Sequence, residues 1–519
     1  MPDRRPNLLL ITTDQQRWDS LSFHGTPGYR TPNLDRLARD GVLFDRSYCP
    51  SPVCTPARVS ILTGQYPARH GAYQIGMEPV PALRGPTLGS TLAEVGYGTA
   101  LIGKTHFVAR HLEHQHVAGV ENPSPDRDNP PDEFWHHHDG PYVGFQFVRH
   151  CQSHTCDHMP NAHYRAWLQK KGLDLDHLHA DYRGGEDGKD CPTVGRWKKQ
   201  PEHTQTAWIT EESLDWIGKQ QDEGRPWLCW ASYQDPHPPY VCPEPYYSDV
   251  DMSDVDLGGL REGEMDDKPI LYRRFFEGKY WSEENPDDFI DPDCPSKNIP
   301  ALGEYDRIAD AARAIRAYIA MVNMLDDYVG RLLDALEEMG ARENTLVVFT
   351  TDHGDMLGRH GLWGKGIAAY DDHQRIPGIA CWPAGQSRSI GSSDAMFNLV
   401  DVMPTFLDAA GVESPPGVQG VSQLPVIRGE QEAVRDWALV DFIATVRLHQ
   451  QTLVHDGYKL VLYRHADYGE LYNLEEDPDQ YWNLFDDPEA RPVRDRLIHR
   501  LARANMETAG KMPRRIWHA

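Results

Sequence analysis

Two hydrophobic periods alternate along the chain. Asn7–Thr13 is an almost unbroken apolar run closed by two threonines, the pattern of a strand buried on both faces. Thr31–Arg39 then changes to helical spacing, with Thr31 as N-cap, Pro32 at the first helical position and Gly41 as the stop. Val42–Tyr48 predicts a strand, Ala57–Leu62 and Thr87–Val95 helices, and Thr99–Gly103 a strand again. Further on, Trp227–Tyr233, Thr345–Thr351 and Ile376–Trp382 predict buried strands, and Val402–Ala410 a helix. Between them Tyr305–Glu338 keeps helical spacing throughout, so it predicts one long helix or a helix pair ended by Gly340. Strands that alternate with helices predict an α/β fold: a large, mainly parallel sheet sandwiched by helices.

Two stretches break this rhythm. Residues 111–203 and 241–302 are rich in His, Asp, Gly and Pro and have few periodic apolar positions, which predicts inserted loops that shape a site. After Arg428 the pattern becomes short alternating strands, at Trp437–Phe442, Arg447–His455, Tyr458–Tyr463 and Glu470–Leu474, closed by a helix at Ala490–Asn505. The expected organisation is a catalytic domain over 1–428 and a smaller C-terminal α+β domain over 429–519.

Composition narrows the function. The 519 residues carry 78 Asp and Glu against 52 Lys and Arg, a formal charge of −26. Such a chain is a poor sequence-independent ligand for nucleic acid or an anionic membrane, because that binding depends on cations neutralising phosphates. Any anionic substrate must be held by a local positive pocket rather than by the overall field. Nine cysteines suit a reduced protein better than a disulfide scaffold. The run Leu8–Ile11 is too short for a signal-peptide core or a membrane span. A cytoplasmic protein is expected; a homo-oligomer is compatible with the sequence.

The chemistry starts where two strands end alike, at Ile11-Thr12-Thr13-Asp14 and Phe349-Thr350-Thr351-Asp352. Carboxyl ends of parallel strands form the ligand-binding edge of such sheets, so the two Asp can converge. Taken singly, each suits a loop cap equally well. With Gln15 and His353 beside them they make a set of oxygen and nitrogen donors, and two close carboxylates call for a cation or a shared proton. Ca²⁺ fits best, with Mn²⁺ the alternative given the imidazole. A third element, Cys54-Thr55-Pro56-Ala57-Arg58, lies between a strand and a helix. Cys54 falls near the helix N-terminus and Arg58 is on the same face four residues on. A buried cysteine beside a solvent-facing arginine is the plain alternative. The spacing of Cys-dependent phosphatase loops is absent.

Cys54-Thr55-Pro56-Ala57-Arg58, followed by Leu62-Thr63-Gly64-Gln65-Tyr66-Pro67, resembles the signature of type I sulfatases, whose cysteine is oxidised to formylglycine. Further matching motifs follow in order along nearly the whole chain. They include Gly103-Lys104-Thr105-His106, Asp235-Pro236-His237-Pro238-Pro239, Asp352-His353-Gly354-Asp355 and Gly361-Leu362-Trp363-Gly364-Lys365. The resemblance implies an alkaline-phosphatase-like fold and sulfate ester hydrolysis, with a formylglycine-generating enzyme as maturation partner and a small sulfated molecule as substrate. It also implies roles. Formylglycine from Cys54 is the nucleophile; Asp14, Gln15, Asp352, His353 and residue 54 hold the metal; Arg58 supports the nucleophile. Lys104, His106, His237 and Lys365 grip the sulfate oxygens, His237 or Lys365 assists the leaving group, and His106 takes a proton. Gln15 and His353 stand where many sulfatases have Asp and Asn, and this pair is similar to phosphonate monoester hydrolases, the rival reading. Lys104 with His106 points back to sulfatases.

Three other signals are set aside. Cys151, His154, Cys156 and His158 are too tightly spaced for a standard zinc site. His136-His137-His138 suits a pocket lining or a solvated run. Asp249, Asp251 and Ser253 begin like a calcium loop, but Asp254 replaces its Gly and Leu260 its Glu. From another class, a catalytically silent anion- or metal-binding protein would keep Cys54 as a thiol.

Overall fold

In the computed structural model residues 5–77, 79–119, 130–151, 161–173, 194–198, 200–269, 272, 308–383, 391–444, 448–464 and 466–509 are described. The eight strands of the main sheet lie in the order Gly391–Asn398, Val42–Tyr48, Gly378–Cys381, Thr345–Thr351, Asn7–Thr13, Trp227–Ser232, Gly98–Gly103 and Phe147–His150. Gly378–Cys381 runs antiparallel to both neighbours, and the other pairings are parallel. The sheet is therefore mixed but mainly parallel, as the alternation predicts.

The apolar runs are continuous because both faces of the sheet are covered. Leu8, Leu10, Leu228, Trp230, Leu346 and Val348 enter one core. Leu9, Ile11, Cys229, Ala231, Val347 and Phe349 enter the other. The first core also takes Ala57, Val59, Ile61 and Leu62 of the helix Cys54–Thr63. The second takes Leu325, Val329, Leu332 and Leu336 of the helix Ile308–Glu338. That segment is one continuous helix; the Tyr305 expected to begin it lies outside the described residues.

Two expectations are corrected. Within 111–203, read as inserted loops, Phe147–His150 is the outermost strand of the main sheet, and the helix Ala162–Lys170 packs Tyr164, Trp167 and Leu168 into the second core. Its polar and histidine-rich composition hid a scaffold role that only pairing with Gly98–Gly103 reveals. Thr31 does precede the helix Pro32–Asp40, but its hydroxyl does not cap it. The Asp326 carboxylate does, accepting the N–H groups of Asn33 at 3.1 Å and Leu34 at 2.8 Å from across the fold.

The C-terminal sheet is antiparallel, with Trp437–Ile443, His449–His455, Tyr458–Tyr463 and Gly469–Asn473 in sequence order. Arg447, expected to start the second of these strands, lies outside the described residues. Leu497, Leu501 and Ala504 of the helix Arg491–Glu507 pack on Leu439, Leu453, Leu460 and Leu471. Among the described residues no helix is long and apolar enough to cross a membrane.

Candidate active site

Four adjacent strands deliver the site at their carboxyl ends. Thr350, Thr12, Ser232 and Gly103 are aligned across the sheet, and Thr13 pairs with Thr351 one step further on; Asp352 and Asp14 follow that pair directly, and Lys104 follows Gly103. Gly103 is fixed by geometry: its φ is 107°, and a Cβ would run into the carbonyl oxygen of Ser232. Cys54 opens the helix Cys54–Thr63, which Gly64 closes in the left-handed region by donating to Ser60 O at 2.8 Å.

The ligating atoms of Asp14, Cys54, Asp352 and His353 lie within 4.8 Å of one another, and all four residues are buried. Gln15 joins them with its backbone N–H on Asp352 Oδ1 at 3.1 Å, while its Oε1 is buried without a hydrogen-bond partner. Its φ of 66° is supported by Tyr318, whose hydroxyl donates to Gln15 O and accepts the N–H of Arg17. His353 Nδ1 pairs with Gly354 O at 2.9 Å, which turns Nε2 towards Cys54 Sγ at 3.2 Å. Two carboxylates, an unpartnered amide oxygen and an oriented imidazole nitrogen are the donors a divalent cation takes.

Cations surround this cluster. Arg58 is buried and donates from Nε to Asp352 Oδ2 at 2.9 Å. Its Nη1 reaches Ser232 Oγ at 2.8 Å, and Ser232 Oγ donates in turn to Lys104 O. Lys104 Nζ bonds Asp14 Oδ2. Lys365 Nζ lies 2.8 Å from Cys54 Sγ, 3.1 Å from His237 Nε2 and 3.3 Å from His353 Nε2. Thr55 holds the carbonyl of His106, whose φ is 56°.

These charges set the protonation states. Burial alone would raise Asp14, but Lys104 first, then His237, Arg58 and Lys365, hold it well below the usual carboxylate range. Burial and Asp14 push the Cys54 thiol up, yet Lys104 and Lys365 outweigh them and leave it below its ordinary value. Burial, then Lys104, holds His106 well below its ordinary value, so its imidazole is neutral.

The ten residues singled out from sequence thus meet at one sheet edge or in the loops beside it. Sequence reasoning missed Ser232, which carries Arg58, and Asp355, which carries the Gln15 amide. Asp355 stands in a motif already noticed, but its partners are distant in sequence. Cys151 is buried and accepts from Gln205 Nε2 at 3.2 Å; His154, Cys156 and His158 lie outside the described residues.

A sulfatase family model matches residues 6–412. A second, described as the C-terminal part of N-sulphoglucosamine sulphohydrolase, matches residues 358–507. An arylsulfatase of Clostridium perfringens is 28% identical over 490 residues, covering 93% of this chain and 91% of its own. The multifunctional alkaline phosphatase superfamily protein PehA of Trinickia caryophylli is 30% identical over 523 residues, covering 93% of this chain and 92% of its own. Among solved structures, a phosphonate monoester hydrolase of Agrobacterium radiobacter superposes with a TM-score of 0.75 at 26% identity, covering 98% of this chain and 96% of that one. With its sheet, its cluster of acids and cations, and a family match over most of its length, the chain belongs to the sulfatase family.

Proposed function

We propose that this protein hydrolyses sulfate esters of small molecules to an alcohol and inorganic sulfate, after a formylglycine-generating enzyme has oxidised Cys54. The observation that carries the reading is the approach of Cys54 Sγ to Lys365 Nζ at 2.8 Å within the buried cluster of Asp14, Asp352 and His353. Asp14, Gln15, Asp352 and His353, with an oxygen on residue 54, are assigned to a divalent ion, Ca²⁺ first and Mn²⁺ second. The unpartnered Gln15 Oε1 and the mutually close carboxylates fit such an ion. When bound, the ion supplies Lewis-acid stabilisation of charge on the ester oxygens. Hydrated formylglycine at position 54 supplies a hydroxyl nucleophile and, on the same carbon, a second hydroxyl through which the aldehyde is regenerated.

The chain's own residues do the rest. Arg58, fixed between Asp352 and Ser232, holds residue 54 in place. Lys104, His106, His237 and Lys365 grip the sulfate oxygens, a preorganised set of donors whose worth rises in a buried site. Lys365 or His237 gives the departing alcohol its proton, and neutral His106 accepts one from residue 54. With a net charge of −26, the positive pocket acts at short range, which favours a small anionic ester over a long polysulfated chain.

Gln15 and His353, together with the likeness to the Agrobacterium hydrolase, favour phosphonate monoester or phosphodiester hydrolysis as the second reading. Phenyl sulfate and phenyl phosphonate esters assayed side by side separate the two; the higher kcat/KM is expected on the sulfate. Peptide mass spectrometry across position 54 is expected to find the aldehyde. An intact thiol and no hydrolysis, in a host that has the maturation enzyme, would overturn the enzyme reading.

A further inference from the structure

We infer that Asp355 is a positioning residue: it fixes which end of the Gln15 amide faces the metal-binding cluster. A glutamine has two chemically opposite ends. Its oxygen is a ligand for a hard cation, and its NH₂ repels one. Nothing in the backbone chooses between them, because the amide can turn over within the same volume.

The choice is made by hydrogen bonds. Gln15 Nε2 donates to Asp355 Oδ2 at 2.5 Å, and Tyr240 donates to the same oxygen at 2.6 Å. Asp355 Oδ1 accepts the backbone N–H groups of Leu357 at 2.8 Å and Gly364 at 3.0 Å. The Leu357 and Gly364 N–H groups can only donate, so Oδ1 must accept; with the Tyr240 hydroxyl donating to Oδ2, Asp355 offers the Gln15 amide an acceptor and no donor. Gln15 Nε2 is thereby drawn to Asp355, and the amide plane turns Oε1 the other way, where it is buried with no hydrogen-bond partner. The contact with Gly364 N–H also ties the residue before Lys365 to the same carboxylate. One buried acid thus orients a ligand and anchors the start of the segment that carries a cation, the outer-shell arrangement expected around a metal.

Consider Asp355→Asn. The two backbone N–H groups cannot turn, so the carbonyl oxygen of the new amide must stay with them and its NH₂ must face Tyr240 and Gln15. The tyrosine hydroxyl can rotate to accept. Gln15 can avoid a clash of two NH₂ groups only by flipping, which presents its own NH₂ to the cluster. Pairing the change with Gln15→Glu removes the conflict, since a carboxylate at position 15 accepts from the new amide and keeps an oxygen for the ion. The double variant also has the net charge of the wild type.

The inference rests on the metal assignment proposed above, and one experiment separates the two. Full-length wild type, Q15E, D355N and Q15E/D355N are stripped with chelator and titrated with Mn²⁺, the free ion being followed by electron paramagnetic resonance, with Ca²⁺ as competitor. D355N is expected to bind Mn²⁺ about 10–100-fold more weakly, the usual cost of losing an outer-shell partner. Q15E/D355N is expected to recover most of that loss and, measured against Q15E alone, to bind Mn²⁺ no more weakly, so that the effect of D355N disappears once position 15 is a carboxylate; a merely structural or electrostatic role for Asp355 would lower affinity by the same factor in both backgrounds. Wild-type affinity in D355N, or a double variant no tighter than D355N, overturns the orientation. If D355N does not fold, the double variant is read against wild type, and a loss of about tenfold or more overturns it. A wild type that binds neither ion overturns the metal assignment itself, and the orientation with it.

Discussion

Arg58 Nε donates to Asp352 Oδ2 at 2.9 Å, with the two side chains 1% and 0% exposed. This ion pair joins the helix that begins at Cys54 to the end of the strand Thr345–Thr351. Asp352 also accepts from the N–H groups of Gln15 and His353. The Arg58 guanidinium has Ser232 Oγ and Lys104 O as further acceptors. Deleting one partner leaves the other charged and buried, which costs about 3–5 kcal/mol. Arg58→Ala is therefore expected to lower the urea midpoint of unfolding severely and to abolish turnover. Arg58→Lys keeps a charge but cannot reach Asp352, Ser232 and Lys104 in one planar fork. It is expected to recover part of the stability and little of the activity.

Glu113 offers a pH test away from the cluster. Burial raises its carboxyl from 4.5 to about 7, although Phe107 N–H and the hydroxyls of Thr105 and Tyr142 favour the charged form. Between these values the folded chain keeps a proton that the unfolded chain has released, so this group's contribution to stability falls as pH rises. The fall amounts to about 3 kcal/mol over the window and is complete above pH 7. Glu113→Gln copies the protonated acid at every pH. Urea midpoints are expected to agree for the two proteins near pH 4.5 and to favour the variant at pH 8. A constant difference across that range would contradict the assignment.

Why the site was legible and parts of the fold were not follows from where the signals sit. Asp14 and Asp352 end strands buried on both faces, and such strands announce themselves as unbroken apolar runs. Phe147–His150 and Gly391–Asn398 are the two outer strands of the sheet and carry polar residues, so neither stood out. The cap on Pro32–Asp40 went to Asp326, and the Gln15 amide to Asp355, across 293 and 340 residues of chain. No local pattern encodes partners that only folding brings together.

Gly103 is the hinge between the sheet and Lys104. Gly103→Ala forces a side chain into a φ of 107° and against Ser232 O and Ile209. The strain costs about 1–3 kcal/mol. Because Ser232 carries Arg58, the damage is expected to reach chemistry as well as stability. A lowered melting temperature with a larger proportional loss in kcat is the expected outcome; an unchanged kcat in the folded fraction would show that the Ser232 contact does not position Arg58.

Two tasks are proposed for Lys365, holding sulfate oxygens and helping the alcohol leave, and leaving-group dependence separates them. Its ammonium reaches both Cys54 Sγ and His237 Nε2, so it lies between the nucleophile and a second candidate proton donor. Lys365→Met removes the charge and keeps the stem. Loss of one preorganised donor is expected to lower kcat by about 10²–10³-fold. If Lys365 protonates the departing oxygen, the loss must be greatest for esters of weakly acidic alcohols and least for 4-nitrophenyl sulfate, whose leaving group needs no proton. If it acts only on the sulfate oxygens, every ester must lose the same factor, since that part of the transition state is common to all. A series of aryl and alkyl sulfates compared between wild type and variant reads this directly. The expected result is a steeper dependence on alcohol acidity in the variant, and parallel lines would move the proton donor to His237.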